Sequence, residues 1–353
     1  MTNANLKPEF ITELEVGTEL QFFDNRIGID FTYYNKKSTS QIFEVTAAPS
    51  SGYTSQILNL GKATNTGIEI ALNLSPIRTS NGFNWDISSV FTRNRDIIND
   101  LGGYKQFVYG GVNGTSSVHI LGRPYGLIYG NAYARDDAGD ILIDPNTGKP
   151  LVSGALQPIG NPNPDFILGI TNSFTYKNFS LSVLFDWKQG GQLYSSTVGQ
   201  MLSRSVTKDT EDREFQIVSP GVLGVAGTLK PLLDAKGNTI PNNVAISYED
   251  YFFNNGLGPG GVDEGSIFDA TVFRLREIAL AYQVPKSFLK RTPFGSAFIS
   301  VSGRNLFYYA PNFPKYTHFD PEVSSLGVGN SQGYDNLAVP TTKRFGINLR
   351  FSF

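Results

Sequence analysis

The last ten residues, Arg344-Phe345-Gly346-Ile347-Asn348-Leu349-Arg350-Phe351-Ser352-Phe353, alternate without a break. Phe345, Ile347, Leu349, Phe351 and Phe353 are apolar, and the residues between them are polar or glycine. A period of two over this length specifies an extended strand with one apolar and one wet face. About ten residues is also what a tilted strand needs to cross a bilayer. The apolar face of such a strand has two possible homes, the inside of a sandwich or lipid.

The pattern recurs. Residues 13–22 carry Leu14, Val16, Leu20 and Phe22 against Glu13, Glu15, Glu19 and Gln21. Residues 27–33, 67–74, 83–91, 166–176, 179–187 and 297–301 (running into 303–307) repeat the alternation. Residues 272–282 alternate in two phases, Phe273 and Leu275 first, then Ile278, Leu280 and Tyr282, which reads as a β-bulge. The connections sort by length. Short ones lie at 24–26, 75–82, 177–178 and 285–295. Long polar ones lie at 35–65, 95–165, 189–268 (with a glycine cluster at 256–261) and 308–340. Strict alternation of short and long is the signature of an antiparallel up-and-down transmembrane β-barrel, with short periplasmic turns and long extracellular loops. A soluble sandwich explains the alternation along each strand but not the sorting of the loops. Aromatics gather near strand ends (Tyr33, Tyr34, Trp85, Tyr176, Trp187, Phe307), as in the girdles of barrel walls.

Composition narrows the alternatives. No run approaches the ~18 apolar residues of a membrane helix. Cysteine is absent, which removes disulfides, thiolate metal sites and cysteine nucleophiles. Charge is nearly balanced at −2, so no nucleic-acid partner is expected. The polar start, Met1-Thr2-Asn3-Ala4-Asn5, is not a signal peptide. Counting back from a periplasmic C-terminus, nine long strands would begin outside the cell. An odd number does not close a bacterial barrel, so part of the wall is expected to be missing. On this reading Phe353 is a complete end and Met1 an incomplete beginning, and residues 1–353 form the C-terminal part of one barrel domain.

Several short stretches sharpen this. They are Leu6-Lys7-Pro8-Glu9, Asn65-Thr66-Gly67-Ile68-Glu69, Gly160-Asn161-Pro162-Asn163-Pro164-Asp165-Phe166, Asp186-Trp187-Lys188-Gln189-Gly190-Gly191, Phe273-Arg274-Leu275-Arg276-Glu277 and Ser302-Gly303-Arg304-Asn305-Leu306-Phe307. In this order and spacing the chain resembles the C-terminal part of the SusC/RagA-like TonB-dependent outer-membrane transporters of Bacteroidetes. The resemblance implies a larger barrel of 22 strands with a plug domain that this sequence lacks, and a place in the cell outer membrane. It implies a SusD-like lipoprotein capping the outside, and energy from TonB–ExbB–ExbD acting through the missing part. It also implies import of oligosaccharides or peptides, with glycan as the default because the family is best known for it. The other functional class is a β-rich outer-surface module that binds ligand, or serves structurally, without moving it.

Residues that could carry chemistry are few. Enzyme motifs, cofactor fingerprints and metal-ligand spacings are missing, and the two histidines, His119 and His318, are far apart; no enzyme, cofactor or metal is expected. Asp136-Asp137-Ala138-Gly139-Asp140 and Asp144-Pro145-Asn146-Thr147-Gly148 could offer oxygens to calcium but lack the spacing of a calcium loop, and successive β-turns explain them better. Tyr125, Tyr129, Tyr133, Tyr308 and Tyr309 lie in or beside long loops, where a flat ring with a hydroxyl suits sugars or peptides; they are the candidate substrate contacts, against a bland reading of packing within the loops. Arg274, Arg276 and Glu277 are expected to form a lumen-side ion-pair ladder, because charge on the lipid face costs roughly 2–4 kcal/mol. Phe351 and Phe353 form a candidate signal for the barrel-insertion machinery, as the resemblance also implies; a girdle role is compatible with it.

Overall fold

Nine period-two segments become nine strands of one antiparallel sheet, each paired with its neighbours in chain order. They are β1 (Phe10–Phe22), β2 (Ile27–Thr46), β3 (Ser55–Arg78), β4 (Phe83–Leu101), β5 (Phe166–Tyr176), β6 (Phe179–Gln189), β7 (Val272–Gln283), β8 (Ser296–Tyr309) and β9 (Arg344–Ser352). The structure is a computed structural model that describes residues 5–46, 50, 52–108, 110–225, 227–253, 261–327 and 331–353. The glycine cluster at 256–261 lies almost wholly outside the described residues. β1 and β9 are the two edges and do not pair with each other, so the sheet is a portion of a wall and not a closed barrel. No described helix is long and apolar enough to cross a membrane.

The register fixes the faces. Trp187 stands opposite Phe273, and Phe273 opposite Tyr309, in one outward row. Asp186 stands opposite Arg274, and Arg274 opposite Tyr308, in the inward row beside it. The outward set from Phe179 to Trp187 covers roughly 20 Å of membrane thickness at ~3.4 Å per residue and ~40° tilt, near the ~25 Å of a barrel's apolar band. On the central strands the outward side chains remain partly exposed: Phe179 is 50% exposed, Leu280 45% and Trp187 39%. A continuous apolar face of this kind is what lipid covers.

Two expectations need correction. The connection read at 35–65 is mostly strand: β2 runs on to Thr46, β3 begins at Ser55, and the two stay paired throughout. β4 likewise continues to Leu101, past the expected loop start at 95. Register slips between Thr39 and Ile42 and at Lys62–Ala63 break the phase, and the extensions bury Phe43, Val45, Ala63, Ile98 and Leu101 in place of continuing the outward apolar row. The second concerns the long connections, read above only as polar loops; the local hairpins of 106–130 and 135–150 are part of a larger unit. The described parts of segments 102–165, 190–271 and 310–343 pack together into a lobe tied to the polar face of the wall. There they bury Leu193, Val198, Leu202, Phe313 and Phe319 in one cluster and Ile128, Tyr194 and Tyr334 in another. The lobe contains a helix, α1 (Ser196–Ser203), whose N-cap is the Ser195 hydroxyl, accepting from Val198 N at 3.1 Å. The same hydroxyl donates to the buried Asp335 carboxylate at 2.7 Å, joining two of the three segments. The core of this molecule therefore lies in its loops, because the wall's apolar side faces outward.

Local chemistry explains the short motifs. The expected bulge in β7 is present: Leu275 and Glu277 pair with consecutive residues of β6, leaving Arg276 as the extra residue. In Ser302–Phe307 the bulge continues on β8, and Asn305 sits at φ 52, a conformation asparagine tolerates better than most residues. Gly67 lies under the Tyr34 ring, where a Cβ would come within 2.3 Å of the ring. Tyr34, expected in the girdle, instead crosses the inward face and donates to Asn94 at 3.1 Å. The two aspartate-rich stretches are turns. Asp136 accepts from the Ala138 and Asp140 amides at 3.0 and 2.9 Å, and Asp144 from the Asn146 amide at 2.8 Å.

Candidate functional site

Three motifs distant in sequence meet where the wall passes into the lobe. Gly190 and Gly191, at φ 69 and 76, turn the chain out of β6. A Cβ on Gly190 would lie 2.6 Å from the Asp165 carboxylate, and one on Gly191 2.8 Å from the Pro162 carbonyl. Glycine is required at both because the Pro162–Asp165 segment passes directly against them. Asn161 N donates to the Gln192 side chain at 2.8 Å, which locks the two crossings together. The bulged part of β7 completes the arrangement. Together they enclose a pocket of about 310 Å³ lined by Asp186, Lys188, Gln192, Arg274, Arg276 and Glu322, among others.

The electrostatics of this pocket form a clasp. Arg274, with only 5% of its side chain exposed, donates to the Asp320 carboxylate, itself 7% exposed. Asp186 and Glu322 stand 3.8 and 3.7 Å away from the same guanidinium. Arg276 grips both oxygens of Glu322, at 2.5 and 2.6 Å, and Asp186 at 2.7 Å. Asp320 also accepts from the Thr341 hydroxyl at 2.9 Å and the Glu322 amide at 3.0 Å. The hydrogen bonds from Arg276, with the charge of Arg274 behind them, hold the Glu322 carboxyl below the usual glutamate range. The bulge makes this possible, since it places both arginines on the inward face while Ile278 and Leu280 return to the outward one. Below them Glu277 pairs with Arg304 at 3.3 Å. The lumen-side ladder expected from Arg274, Arg276 and Glu277 is thus present, and it ties the last long loop to the wall.

The sequence did not point to Asp320 or Glu322. Nothing in Asp320-Pro321-Glu322 links it to an arginine 46 residues earlier. The one available signal is that Arg274 and Arg276 on an inward face demand carboxylate partners. The pocket offers guanidinium donors, carboxylate acceptors and the amides of Gln192 and Gln332. It can therefore hold a polar solute or anchor a loop, and it contains no nucleophile paired with a base. Among the described residues no group of three or more acidic, histidine or cysteine side chains could hold a metal ion.

The candidate tyrosines do not form one site. Tyr308 and Tyr309 close β8 and border a separate hollow of about 470 Å³ with Pro311, Phe313, Lys315 and His318. Tyr308 donates to the His318 carbonyl. Tyr309 is 60% exposed and belongs to the outward row. Tyr125 lies within the lobe, its ring 3.8 Å from that of the buried His119. Burial pushes the Tyr125 hydroxyl up to about 12 and holds His119 down at about 4. Tyr129 is half-buried on a four-stranded lobe sheet. Tyr133 is half-buried beside Glu264, and burial raises its hydroxyl. Phe351 stacks on Phe294 with ring centroids 4.6 Å apart, and Phe353 meets the same ring tilted by 54° at 5.3 Å.

Known proteins with this arrangement agree on its kind. The family model described as TonB dependent receptor-like, beta-barrel matches residues 1–221. TonB-dependent receptor P3 of Formosa agariphila is 25% identical over 99% of this chain, which spans 35% of that protein. TonB-dependent receptor SusC of Bacteroides thetaiotaomicron is 24% identical over 99% of this chain and 32% of its own length. The RagAB peptide importer in its open–open state superposes with a TM-score of 0.66 at 20% identity, covering 99% of this chain and 35% of that one. The chain thus spans about a third of the length of the curated relatives it matches. Motif order, an antiparallel wall with its apolar face outward and a matching family model converge: the chain belongs to the TonB-dependent receptor β-barrel family of the outer membrane, as a SusC/RagA-like portion of the barrel.

Proposed function

We propose that this chain supplies the C-terminal wall and extracellular loops of an outer-membrane importer that takes up oligosaccharides or peptides. The observation that carries the reading is the ordered lobe. It is folded over the inward face and fastened there by the Arg274–Asp320 and Arg276–Glu322 pairs, which suits a vestibule that receives solute above a lumen. A SusD-like lipoprotein would cover the lobe from outside, and TonB–ExbB–ExbD would drive transport through parts of the protein beyond this chain. The polar pocket and the hollow beside Tyr308 are the favoured solute contacts, with Tyr309 of the outward row only at the rim of that hollow and Tyr125, Tyr129 and Tyr133 contributing if the lobe opens. Phe351 and Phe353 would present the outward aromatic signal to the barrel-insertion machinery. The residues act by binding and positioning, not by catalysis.

The test is uptake by cells carrying the full-length protein, with labelled oligosaccharides and peptides supplied in parallel. Accumulation of one class that is lost on deleting the gene supports the reading and selects the substrate. Surface binding without accumulation of either class overturns it in favour of a binding module. Co-purification with a surface lipoprotein tests the partner separately.

A further inference from the structure

The clasp leaves one cation over. Lys188 follows Trp187 by one residue, so it faces inward from the upper end of β6, on the same side as Asp186 and opposite Ile167 and Val272. It is half-buried and lines the pocket of about 310 Å³, and among the described residues it has no hydrogen bond or ion pair. The acids around it are engaged elsewhere. Asp320 stands behind Arg274, outside the pocket wall, and is occupied by that guanidinium, the Thr341 hydroxyl and the Glu322 amide. Glu322 is held through both oxygens by Arg276, and Asp186 stays between the two arginines. Asp269 turns to Thr271, accepting from its amide at 2.8 Å and its hydroxyl at 2.6 Å. Arg274, Arg276 and Lys188 together balance Asp186, Asp320 and Glu322, so the region as a whole does not repel an anion.

The rest of the pocket is small and mixed. Ile167, Leu193, Ala270 and Val323 give it apolar walls. Its volume lies at the bottom of the ~300–1,000 Å³ range of ligand sites, room for a single sugar ring or amino-acid residue and not for a chain. A half-buried ammonium with no partner is costly to keep, and its compact charge with three donors matches one carboxylate. A doubly charged phosphate would find no second free cation, since both arginines are taken. We propose that Lys188 is the specificity-determining residue of the pocket, receiving one carboxylate borne on a sugar-sized or amino-acid-sized unit of the solute, with the body of that unit against Ile167, Leu193 and Val323. This rests on reading the pocket as a solute contact of an importer, and adds to it the charge of the unit that is held. A uronic acid and a peptide end both carry the group, and the ammonium reads only what they share.

The full-length protein in mild detergent is titrated with two matched pairs of probes, glucuronate against glucose and N-acetylalanine against its amide, with binding followed by ligand-observed NMR. At least one acid should bind about tenfold or more tightly than its neutral partner, the worth of a hydrogen bond to a charged group, and the pair that shows it identifies the source of the carboxylate. Lys188→Met should remove the preference while leaving the neutral probe within about twofold, Lys188→Arg should retain most of it, and Lys36→Met, on the inward face of β2, should change neither. The bound acid should also slow hydrogen exchange at Val323, which lines the pocket. Equal binding of acid and neutral partner in both pairs overturns the proposal, even if the variants do not fold. So does acetate binding as tightly as the acids, which would mark a bare anion site, or a preference that survives Lys188→Met. Uptake by cells separates the two readings. Lys188-dependent acid binding without import of any solute sinks the importer and leaves the site standing, whereas import with equal binding of acid and neutral probes sinks the site alone.

Discussion

Replacing Asp320 with alanine removes the main partner of a guanidinium that is almost fully buried. Breaking a buried pair from one side costs about 3–5 kcal/mol. Glu322 at 3.7 Å and Asp186 at 3.8 Å still face Arg274, so the lower part of that range applies, about 3 kcal/mol. The loss falls on the fastening of segment 310–343 and not on the strand ladder. It should therefore appear as local opening, faster by roughly 150-fold at ~1.4 kcal/mol per factor of ten. Hydrogen exchange on the full-length protein in detergent reads this directly. The informative amides are Val323, bonded to the Asp320 carbonyl at 3.2 Å, and Ser325, bonded to the Tyr334 carbonyl at 2.9 Å. Both should exchange about two orders of magnitude faster, while amides of the β5–β6 pair stay protected. Arg276→Lys, at the more exposed rim of the clasp, should change the same amides less than tenfold. A combined Arg274→Met/Asp320→Leu replacement should recover most of the protection, because it leaves no buried charge unpaired. If Asp320→Ala accelerates Val323 and Ser325 no more than Arg276→Lys does, the buried pair is not what holds the loop.

Acid should loosen the lobe in two separate windows. His119 has a folded pKa depressed by burial to about 4 against an ordinary 6.5. Below pH 6.5 the unfolded lobe takes up more protons than the folded one, so stability falls until about pH 4 and then levels off. Glu322 is also depressed, but as an acid: its contribution is complete above the ordinary glutamate range and is lost as pH falls through the lower folded value. Hydrogen exchange of lobe amides across pH 2–7, corrected for the intrinsic pH dependence of exchange, should show both windows, and His119→Phe should remove only the upper one. Gly67→Val, forcing atoms within 2.3 Å of the Tyr34 ring and 2.7 Å of the Arg93 carbonyl, should cost about 1–3 kcal/mol and lower the temperature of the heat-induced gel shift; an unchanged shift would refute the contact. Asn305→Val, at φ 52, should be destabilising by about 1–2 kcal/mol and Asn305→Gly nearly neutral, and the same gel assay distinguishes them.

The wall could be read from the sequence because lipid imposes a rule on every second residue. From Phe166 to Trp187 that rule gave the strands, their turn at Lys177-Asn178 and their faces, and the out-of-step phases in β7 gave the bulge. Where the rule lapses the reading lapsed too. β2 and β3 continue together beyond the membrane through Lys36, Ser38 and Thr64, a polar run that ends the outward apolar row, and the register slips between Thr39 and Ile42 before Phe43 and Val45 are buried. The lobe was opaque for a related reason: its core comes from isolated residues such as Tyr194, Val198 and Phe319, brought together by long-range folding with no period to announce it. The site fell between the two cases. Its arginines were legible as inward charges, while Asp320 and Glu322 became partners only through the path of the last loop.

That difference makes the extra residue of β7 a sharp test of the faces. In an unbroken strand, two inward arginines at 274 and 276 would be followed by 278, 280 and 282 on the same side, turning Ile278, Leu280 and Tyr282 into the lumen. The bulge at Arg276 resets the phase, so that Ile278 stands opposite Val183, and Leu280 opposite Leu181. Deleting Arg276 should therefore leave every other residue of β7 on its present face: Leu275 outward, Glu277 inward, Ile278 outward. The full-length deletion protein should still insert and keep its heat-induced gel shift, while losing the bonds from Arg276 to Glu322 and Asp186. Deleting Ala279 instead puts one half of the strand out of phase with the other, exposing a charged or polar side to lipid at roughly 2–4 kcal/mol for each cation moved, and should abolish insertion. If the two deletions behave alike, the assignment of inward and outward faces across β6 and β7 is wrong.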